Sequence, residues 1–557
     1  MNITRTEFLA GKIYAVGNAA NEQLPKISLP GNVQEFAATY LAKGFDQLAD
    51  INGDFCGAIR RKNKWTLFRD HMGVRTLYYY LKGKDFAFAE DMRDLCAMDG
   101  IDLSINERLF YLRARGANTN TLTETDFQYI QCVQPGSYTD FEETEDGWKV
   151  TVHPYWIPGQ KKIRYDTEQE YINRLRELVE DAVKIRLDAV EGPVGAELSG
   201  GLDSGVIDIL IARSGREAKY VSWSAPYDVI PMQPVDERQV IEDICKQEGI
   251  TFSFLPLNDD STDAIYRRLP PFVNTSDISK TSRFFSEQGI HIVFSGHGGD
   301  EGASHRANLL ELWYHHEYRD YIREIWNARK GHHFRIIGTT ARVTKGVLFD
   351  LPKRKGPWQN KDHDLIECLN KDFLKKMRRA KFPALTFSYD PLQDILTGGC
   401  RDRLDNCAVQ GADYTVRYLF PLLDYRIIDY CVSIPRTLFI RNGKNRYIYR
   451  EAFKNIMPES LYRVNYKDYA SIRGLRKTGS ARIKSNQEHR NKKESFFFLD
   501  TLEWKIWRQY LDKDTCYSPE KKKSEITSNS RVRERSLMNF CFYCQLLQGY
   551  VSQNGNN

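Results

Sequence analysis

Two short glycine-bearing segments carry the residue types that chemistry on a charged ligand requires. Ser199-Gly200-Gly201-Leu202-Asp203-Ser204 follows the apolar run Pro193 to Leu198 and opens a helix-compatible run from Gly205 to Ser214. A strand that delivers adjacent glycines to a helix start makes a pocket of backbone N–H groups with no side chain in the way, an arrangement that holds phosphate oxygens. The Ser199 and Ser204 hydroxyls add donors, and Asp203 is placed to hold a divalent cation against the same oxygens. No Gly-Lys-Ser/Thr follows, so the loop is not of the Walker type. The second segment, Ser295-Gly296-His297-Gly298-Gly299-Asp300-Glu301, follows the apolar run Ile290 to Phe294. One carboxylate from each loop, Asp203 and Asp300, suits a hard cation bridging phosphates.

Both loops need elements to bring them together. From Tyr165 onward the pattern predicts a helix over 167–189, the strand before Ser199, a helix over 205–214 and a strand from Tyr220 to Ser224. A helix over 236–248, a strand from Phe252 to Leu257, a helix over 277–288 and a strand from Ile290 to Phe294 complete the series. Strands alternating with helices imply a parallel, doubly wound sheet with ligands outside the strand C-termini, where both loops fall. Residues 1–160 read differently. Short apolar runs at 53–59, 65–68, 76–81 and 85–89, split by Gly, Lys and Asp, predict antiparallel strands. Pro158-Gly159 is a plausible linker, which divides the chain into domains of 1–160 and 161–557. Beyond residue 305 the pattern is mostly helical. The basic stretch from Ala328 to Asp364 reads as solvated surface, with substrate binding the alternative. Arg473 to Lys493 is equally basic and expected to be poorly ordered.

Composition excludes several classes. Lys and Arg number 80 against 74 Asp and Glu, a net charge of +6 spread over 557 residues, which gives no case for nucleic acid. No apolar stretch approaches the roughly 20 residues of a membrane span, and Met1-Asn2-Ile3-Thr4-Arg5 lacks a signal-peptide pattern. The eleven cysteines lack metal spacing; the one C-x-x-C, Cys541 and Cys544, reads as core thiols. A reduced, cytoplasmic protein is expected.

These segments resemble those of the asparagine synthetase superfamily along nearly the whole chain. Ser199 to Ser204 is similar to its pyrophosphate loop, Ser295 to Glu301 to its S-G-x-G-x-D-E loop, and Pro421-Leu422-Leu423-Asp424 to its P-F-L-D motif. Arg450-Glu451-Ala452 with Met457-Pro458 resembles its L-R-x-A…L-P stretch. Asn52-Gly53-Asp54-Phe55, Arg69-Asp70-His71-Met72-Gly73-Val74, Leu77-Tyr78-Tyr79 and Phe88-Ala89-Glu90 resemble strands of its glutaminase domain. The resemblance implies an α/β chain in two parts. One is an N-terminal degenerate antiparallel β-sandwich of the Ntn, glutaminase-like kind. The other is a C-terminal parallel-sheet domain of the adenine-nucleotide α-hydrolase kind, with a helical C-terminal part. It implies ATP and Mg²⁺, with Ser199, Gly200, Gly201, Leu202, Asp203, Ser204, Ser224 and Gly296 at the nucleotide, and Asp203 and Asp300 at the metal.

The glutaminase chemistry is expected to be lost. Family members that hydrolyse glutamine use an N-terminal cysteine; here position 2 is Asn2, and Cys56 lies inside a strand pattern. Branches that dispense with glutamine use an amine already on the substrate: the lasso-peptide macrolactam synthetases and the β-lactam synthetases. Where glutamine-dependent members tend to carry Glu, the second loop has His297, which favours the lasso-type reading. The expected chemistry is adenylation of a peptide side-chain carboxylate, then attack by the peptide's N-terminal amine with release of AMP. Such an amine has a pKa near 7.7–8.0, so a base of ordinary histidine strength suffices. His297 is the candidate base. Asp405 roughly matches an acid of the β-lactam enzymes that would orient it, and Lys467 is the nearest candidate for the family's oxyanion lysine. Arg446 stands where the family has another lysine and reads as a surface cation. A leader-peptide-binding protein and a leader peptidase are the implied partners. A β-lactam synthetase-like or glutamine-independent asparagine synthetase-like ligase is the alternative, and a catalytically silent binding protein the third reading. Gly205 and Glu197 depart from the family pattern without an evident reason.

Overall fold

The computed structural model describes residues 7–16, 44–115, 121–229, 231–232, 236–255, 277–307, 309–328, 365–380, 399–463, 502–516, 540, 543–544, 547–548 and 550–551. Its first half is antiparallel. Strands β1 (Glu7–Val16), β2 (Ile51–Arg61), β3 (Lys64–Arg69), β7 (Ser137–Thr144) and β8 (Gly147–Pro154) form one sheet in the order β1-β2-β3-β7-β8. Strands β4 (Tyr78–Lys82), β5 (Asp85–Ala89) and β6 (Ile130–Cys132) form a second, in the order β5-β4-β6. Alternating residues of β2, β3 and β7 meet Tyr79 and Phe86 of the second sheet in one core with Cys56, Trp65, Leu67 and Phe141. Two sheets packed face to face make the expected sandwich. Strand β1 is an addition to the sequence reading.

The second half contains a five-stranded parallel sheet in the order β11-β10-β9-β12-β13. Its strands are β9 (Val194–Glu197), β10 (Ala218–Ser222), β11 (Phe252–Phe254), β12 (Ile292–Phe294) and β13 (Arg417–Leu419). The chain therefore builds outward from β9 in one direction and then returns to place β12 on its other side. That reversal leaves a crevice beyond the C-termini of β9 and β12. Both glycine loops leave those two strands.

Helix α1 (Glu168–Asp188) begins at a capping box of Thr167 and Glu170 and buries Leu175, Leu178, Val179 and Ala182 against the sheet. Helix α2 (Leu202–Arg213) starts three residues before the expected Gly205, so Leu202, Asp203 and Ser204 form its first turn. Gly205 then has a reason: a Cβ there would stand 2.8 Å from Leu461 and 3.2 Å from Ile244. Helices α3 (Glu237–Glu248), capped by Asp236, and α4 (Asp277–Ser286) cover the sheet. Gly195 on β9 admits the Phe285 ring of α4, which a Cβ would meet at 2.7 Å. Helices α5 (Arg401–Ala412), α6 (Tyr425–Ser433) and α7 (Tyr447–Phe453) follow.

The two halves share buried contacts. Asp424, fully buried, accepts from Asn52 Nδ2 of β2 and from Arg186 Nη1 of α1, each at 2.9 Å, and from Arg426. Those two guanidiniums outweigh burial and hold its carboxyl well below the usual range. C-terminal residues also return to the first half. Leu369, Phe373, Trp507, Phe540 and Leu547 share a core with Tyr78, Tyr80 and Phe110. Cys544 belongs to that core, while Cys541 lies outside the described residues.

Candidate active site

The N-terminus of α2 is open. Its N-cap is Gly201, and no side chain caps it, so the first turn lies at the crevice beyond β9 and β12 without a side-chain acceptor for its N–H groups. Gly200 turns the chain there at φ 64°, and a Cβ on it would lie 2.5 Å from the Glu237 carbonyl oxygen. Ser199 and Ser204 close over the turn, their hydroxyl oxygens 2.7 Å apart, with the Gly201 N–H donating to Ser199 Oγ at 3.3 Å. The second loop fits against this turn with no space between. A Cβ at Gly296 would stand 2.5 Å from the Ser204 nitrogen, and one at Gly299 would stand 2.5 Å from the Asp203 carboxylate. The glycines of that loop are therefore what lets two separate strand ends meet. Ser224, one turn beyond β10, is buried and donates to Glu237 Oε1 at 2.6 Å.

Asp203 and Asp300 come together around one guanidinium. Arg446 Nη1 lies 3.2 Å from Asp203 Oδ2 and 3.4 Å from Asp203 Oδ1, while its Nη2 pairs with Asp300. The Ser304 hydroxyl also donates to Asp203, and Arg306 Nε reaches Asp300 at 3.1 Å. Asp203 is 6% exposed and Arg446 4%, so Arg446 is not the surface cation expected from its sequence. A short hairpin, β14 (Ile440–Arg441) and β15 (Lys444–Asn445), delivers it, and Arg446 itself takes a left-handed conformation at the N-cap of α7. A non-glycine residue in that region costs about 1–2 kcal/mol, offset here by the ion pairs it makes. Nearby, the Tyr449 hydroxyl is buried without a hydrogen-bond partner among the described residues; burial and Asp203 push its ionisation well up. Sequence reasoning passed over Ser304 and Arg306, three and five residues beyond the second loop, because neither belongs to the motif.

His297 is partly buried on the second loop. Its backbone N–H donates to Ser295 Oγ at 3.4 Å, and its ring meets Phe420 edge-on at 6.0 Å. Phe420 also lines a cavity of about 280 Å³ between the two halves, together with Asp54, Arg75 and Cys407. Asp405 does not orient His297. It is 2% exposed, and its oxygens meet Arg69 Nη2 at 3.3 Å and Arg401 Nε at 3.1 Å, at the junction with the first half. Two guanidiniums in reach of a buried carboxylate occupy its oxygens with charge-assisted hydrogen bonds. Lys467 lies outside the described residues, as do 329–364 and 473–493. Glu197 points to Arg403, 3.7 Å away, rather than to the phosphate loop.

This arrangement suits a magnesium–triphosphate. An uncapped helix end and glycine-cleared backbone receive phosphate oxygens, and two carboxylates on separate loops converge within the span of one guanidinium. Magnesium typically takes one or two carboxylates and completes its shell with phosphate and water.

The comparisons agree with the fold. The family model for asparagine synthase matches residues 174–524, more than half of the chain, and that for a glutamine amidotransferase domain matches residues 32–156. A Methanocaldococcus jannaschii protein, provisionally named glutamine-hydrolyzing asparagine synthetase 2, is 27% identical over 281 residues, 47% of this chain and 51% of its own length. The match therefore spans about half of that relative. Amidase chyE of Penicillium rubens is 22% identical over 544 residues, 86% of this chain and 78% of its own. Glutamine-hydrolyzing asparagine synthetase 3 of Bacillus subtilis is 24% identical over 471 residues, 76% and 68%. No described helix is long and apolar enough to cross a membrane. With a parallel sheet bearing both loops, an antiparallel sandwich before it and these matches, the chain belongs to the asparagine synthase family.

Proposed function

We propose that the protein is an ATP-dependent, AMP-forming amide synthetase that closes a peptide side-chain carboxylate onto the peptide's own N-terminal amine. The supporting observation is the meeting of Asp203 and Asp300 at an open helix end. In the first step a carboxylate oxygen attacks the α-phosphorus of ATP. The bond to pyrophosphate breaks and an acyl-adenylate forms. The α2 N–H groups, Ser199 and Ser204 receive the charge that builds on pyrophosphate, and Arg446 and Arg306 stand within reach of it. Asp203 and Asp300 would hold a divalent cation, which would add to the neutralisation of that leaving group. In the second step the amine attacks the acyl carbon, a C–N bond forms, AMP departs and the amine loses a proton. His297, on the same loop as Asp300, is the residue we assign to accept it. A leader-peptide-binding protein and a leader peptidase would supply such a substrate, in the cytoplasm.

The relatives named as asparagine synthetases favour a second reading, an intermolecular ligase that amidates a small carboxylate. One experiment separates the two. Candidate peptides with a free N-terminus and an internal Asp or Glu, or aspartate with ammonia, are incubated with enzyme, ATP and Mg²⁺ and followed by mass spectrometry. Loss of one water from a peptide with equimolar AMP supports ring closure, and asparagine with AMP supports the second reading. ADP in place of AMP overturns both.

A further inference from the structure

Arg446 occupies a position that a metal site would not ordinarily give to a cation. Its guanidinium bridges the same two carboxylates that converge on the phosphate cradle. It is 4% exposed, and its backbone is fixed in a left-handed N-cap after the β14–β15 hairpin. The hairpin is itself anchored, since the Gly443 N–H donates to Glu324 at 3.1 Å and the Tyr447 N–H donates to Phe439 O at 3.1 Å. The guanidinium can thus swing only about its own side chain. Arg306, with a half-exposed side chain, adds a second guanidinium to Asp300. Arg450 lies close by, and burial together with Arg446 depresses its pKa.

We propose that Arg446 makes cation binding conditional on nucleotide. Without nucleotide, Arg446 and Arg306 balance Asp203 and Asp300, and the pair has no charge left to attract a divalent ion. A bare dication would enter a neutral site against two guanidiniums a few ångströms away. A triphosphate brings four negative charges with the dication. The carboxylates can then turn to the metal, and the guanidiniums can turn to phosphate oxygens, which they bind bidentately. Arg446 in this role is a positioning residue for the metal and a gate on the order of binding. The inference rests on the reading of the cradle as a magnesium–ATP site.

The test uses Mn²⁺ as the probe and the full chain. Free Mn²⁺ is followed by electron paramagnetic resonance without nucleotide, and ATP binding is measured separately with Mg²⁺ present. The wild type is expected to bind Mn²⁺ weakly alone and ATP well. Arg446→Gln is expected to bind Mn²⁺ alone roughly tenfold tighter and ATP roughly tenfold weaker. Arg446→Lys retains the positive charge and should bind Mn²⁺ alone as weakly as the wild type. A merely structural Arg446 would make both variants lose Mn²⁺ and ATP together, which overturns the proposal, as does unchanged Mn²⁺ affinity in Arg446→Gln. Should that variant fail to fold, Arg306→Gln decides, with nucleotide-free Mn²⁺ binding expected about threefold tighter and an unchanged value overturning the proposal. If the wild type itself binds no ATP with Mg²⁺, the functional reading fails and this inference falls with it. If it binds ATP and only the Mn²⁺ result is wrong, the functional reading stands.

Discussion

Both halves of this molecule bury charged side chains, and they use them differently. In the antiparallel half, Asp70 accepts from the N–H groups of Met72, Val74 and Arg75, at 2.9 to 3.1 Å. Arg69 meets Asp405, and Arg75 pairs with Glu90. Each of those groups is paired within the fold, Arg69 with Asp405 of α5 and the others with residues of their own half. In the parallel half, Asp203 and Asp300 also have partners, but they stand at an uncapped helix end, on loops whose glycines leave backbone bare. Ionisable residues alone do not make a site. A site needs donors left over after folding, and these remain at the open end of α2.

The largest effect expected from that contrast comes from one methyl group. A Cβ at Gly296 would stand 2.5 Å from the Ser204 nitrogen and 2.7 Å from its Cα, against helix backbone that cannot yield. Gly296→Ala must therefore push the two loops apart. Displacement of about 1 Å at positioned groups costs on the order of 100-fold in rate. AMP formation by Gly296→Ala should fall at least about 100-fold, with the thermal unfolding midpoint changed only slightly. Undiminished AMP release would show that the loops need not touch, and the contrast between the halves would lose its basis.

What the sequence made legible follows from how local each signal is. Asp203 and Asp300 sit in short motifs at strand ends, and the alternation of strands and helices placed both on one sheet edge. The helix start was misjudged because Gly201 serves as the N-cap, which no side chain marks. Strand β13 was missed because three residues, Arg417 to Leu419, carry too little periodicity. Arg446 and Asp405 were misread for a different reason. Each is defined by partners hundreds of positions away, Arg446 by Asp203 and Asp405 by Arg69, and no window of sequence contains such a pair.

A smaller effect concerns Cys56, a thiol in the core of the antiparallel half. It is fully buried in the sandwich core, donates to the Thr76 carbonyl at 3.4 Å, and burial followed by the charge of Glu90 raises its pKa well above the usual thiol value. A thiol held protonated inside a core is inert. Cys56→Ala should leave amide formation unchanged and lower stability by about 1 kcal/mol for the lost packing. The wild type should release no glutamate from glutamine. Glutamate release that Cys56→Ala abolishes would turn the first half into a working site and break the comparison.

The smallest effect lies in two adjacent residues of that same half. Burial, with Asp54 adding to it, lifts the Asp70 carboxyl to about 7, and burial lowers the His71 imidazole to about 4. The unfolded values are near 3.9 and 6.5. Between pH 4 and 6.5 the native chain holds a proton on Asp70 that the unfolded chain lacks. The unfolded chain holds one on His71 that the native chain lacks. Stability gained with pH at His71 therefore offsets stability lost at Asp70, and only the Asp70 loss continues above pH 6.5. His71→Phe preserves the stack on Tyr425, where the ring centroids are 4.0 Å apart at 13°, and removes the compensating proton. Relative to the wild type, the variant should lose up to about 1.4 kcal/mol per pH unit between pH 4 and 6.5 and then run parallel to it. Denaturant unfolding of both proteins across that range measures the difference directly. A difference that stays flat with pH would mean that His71 titrates normally, so that the charges of the antiparallel half are not as enclosed as those contacts require.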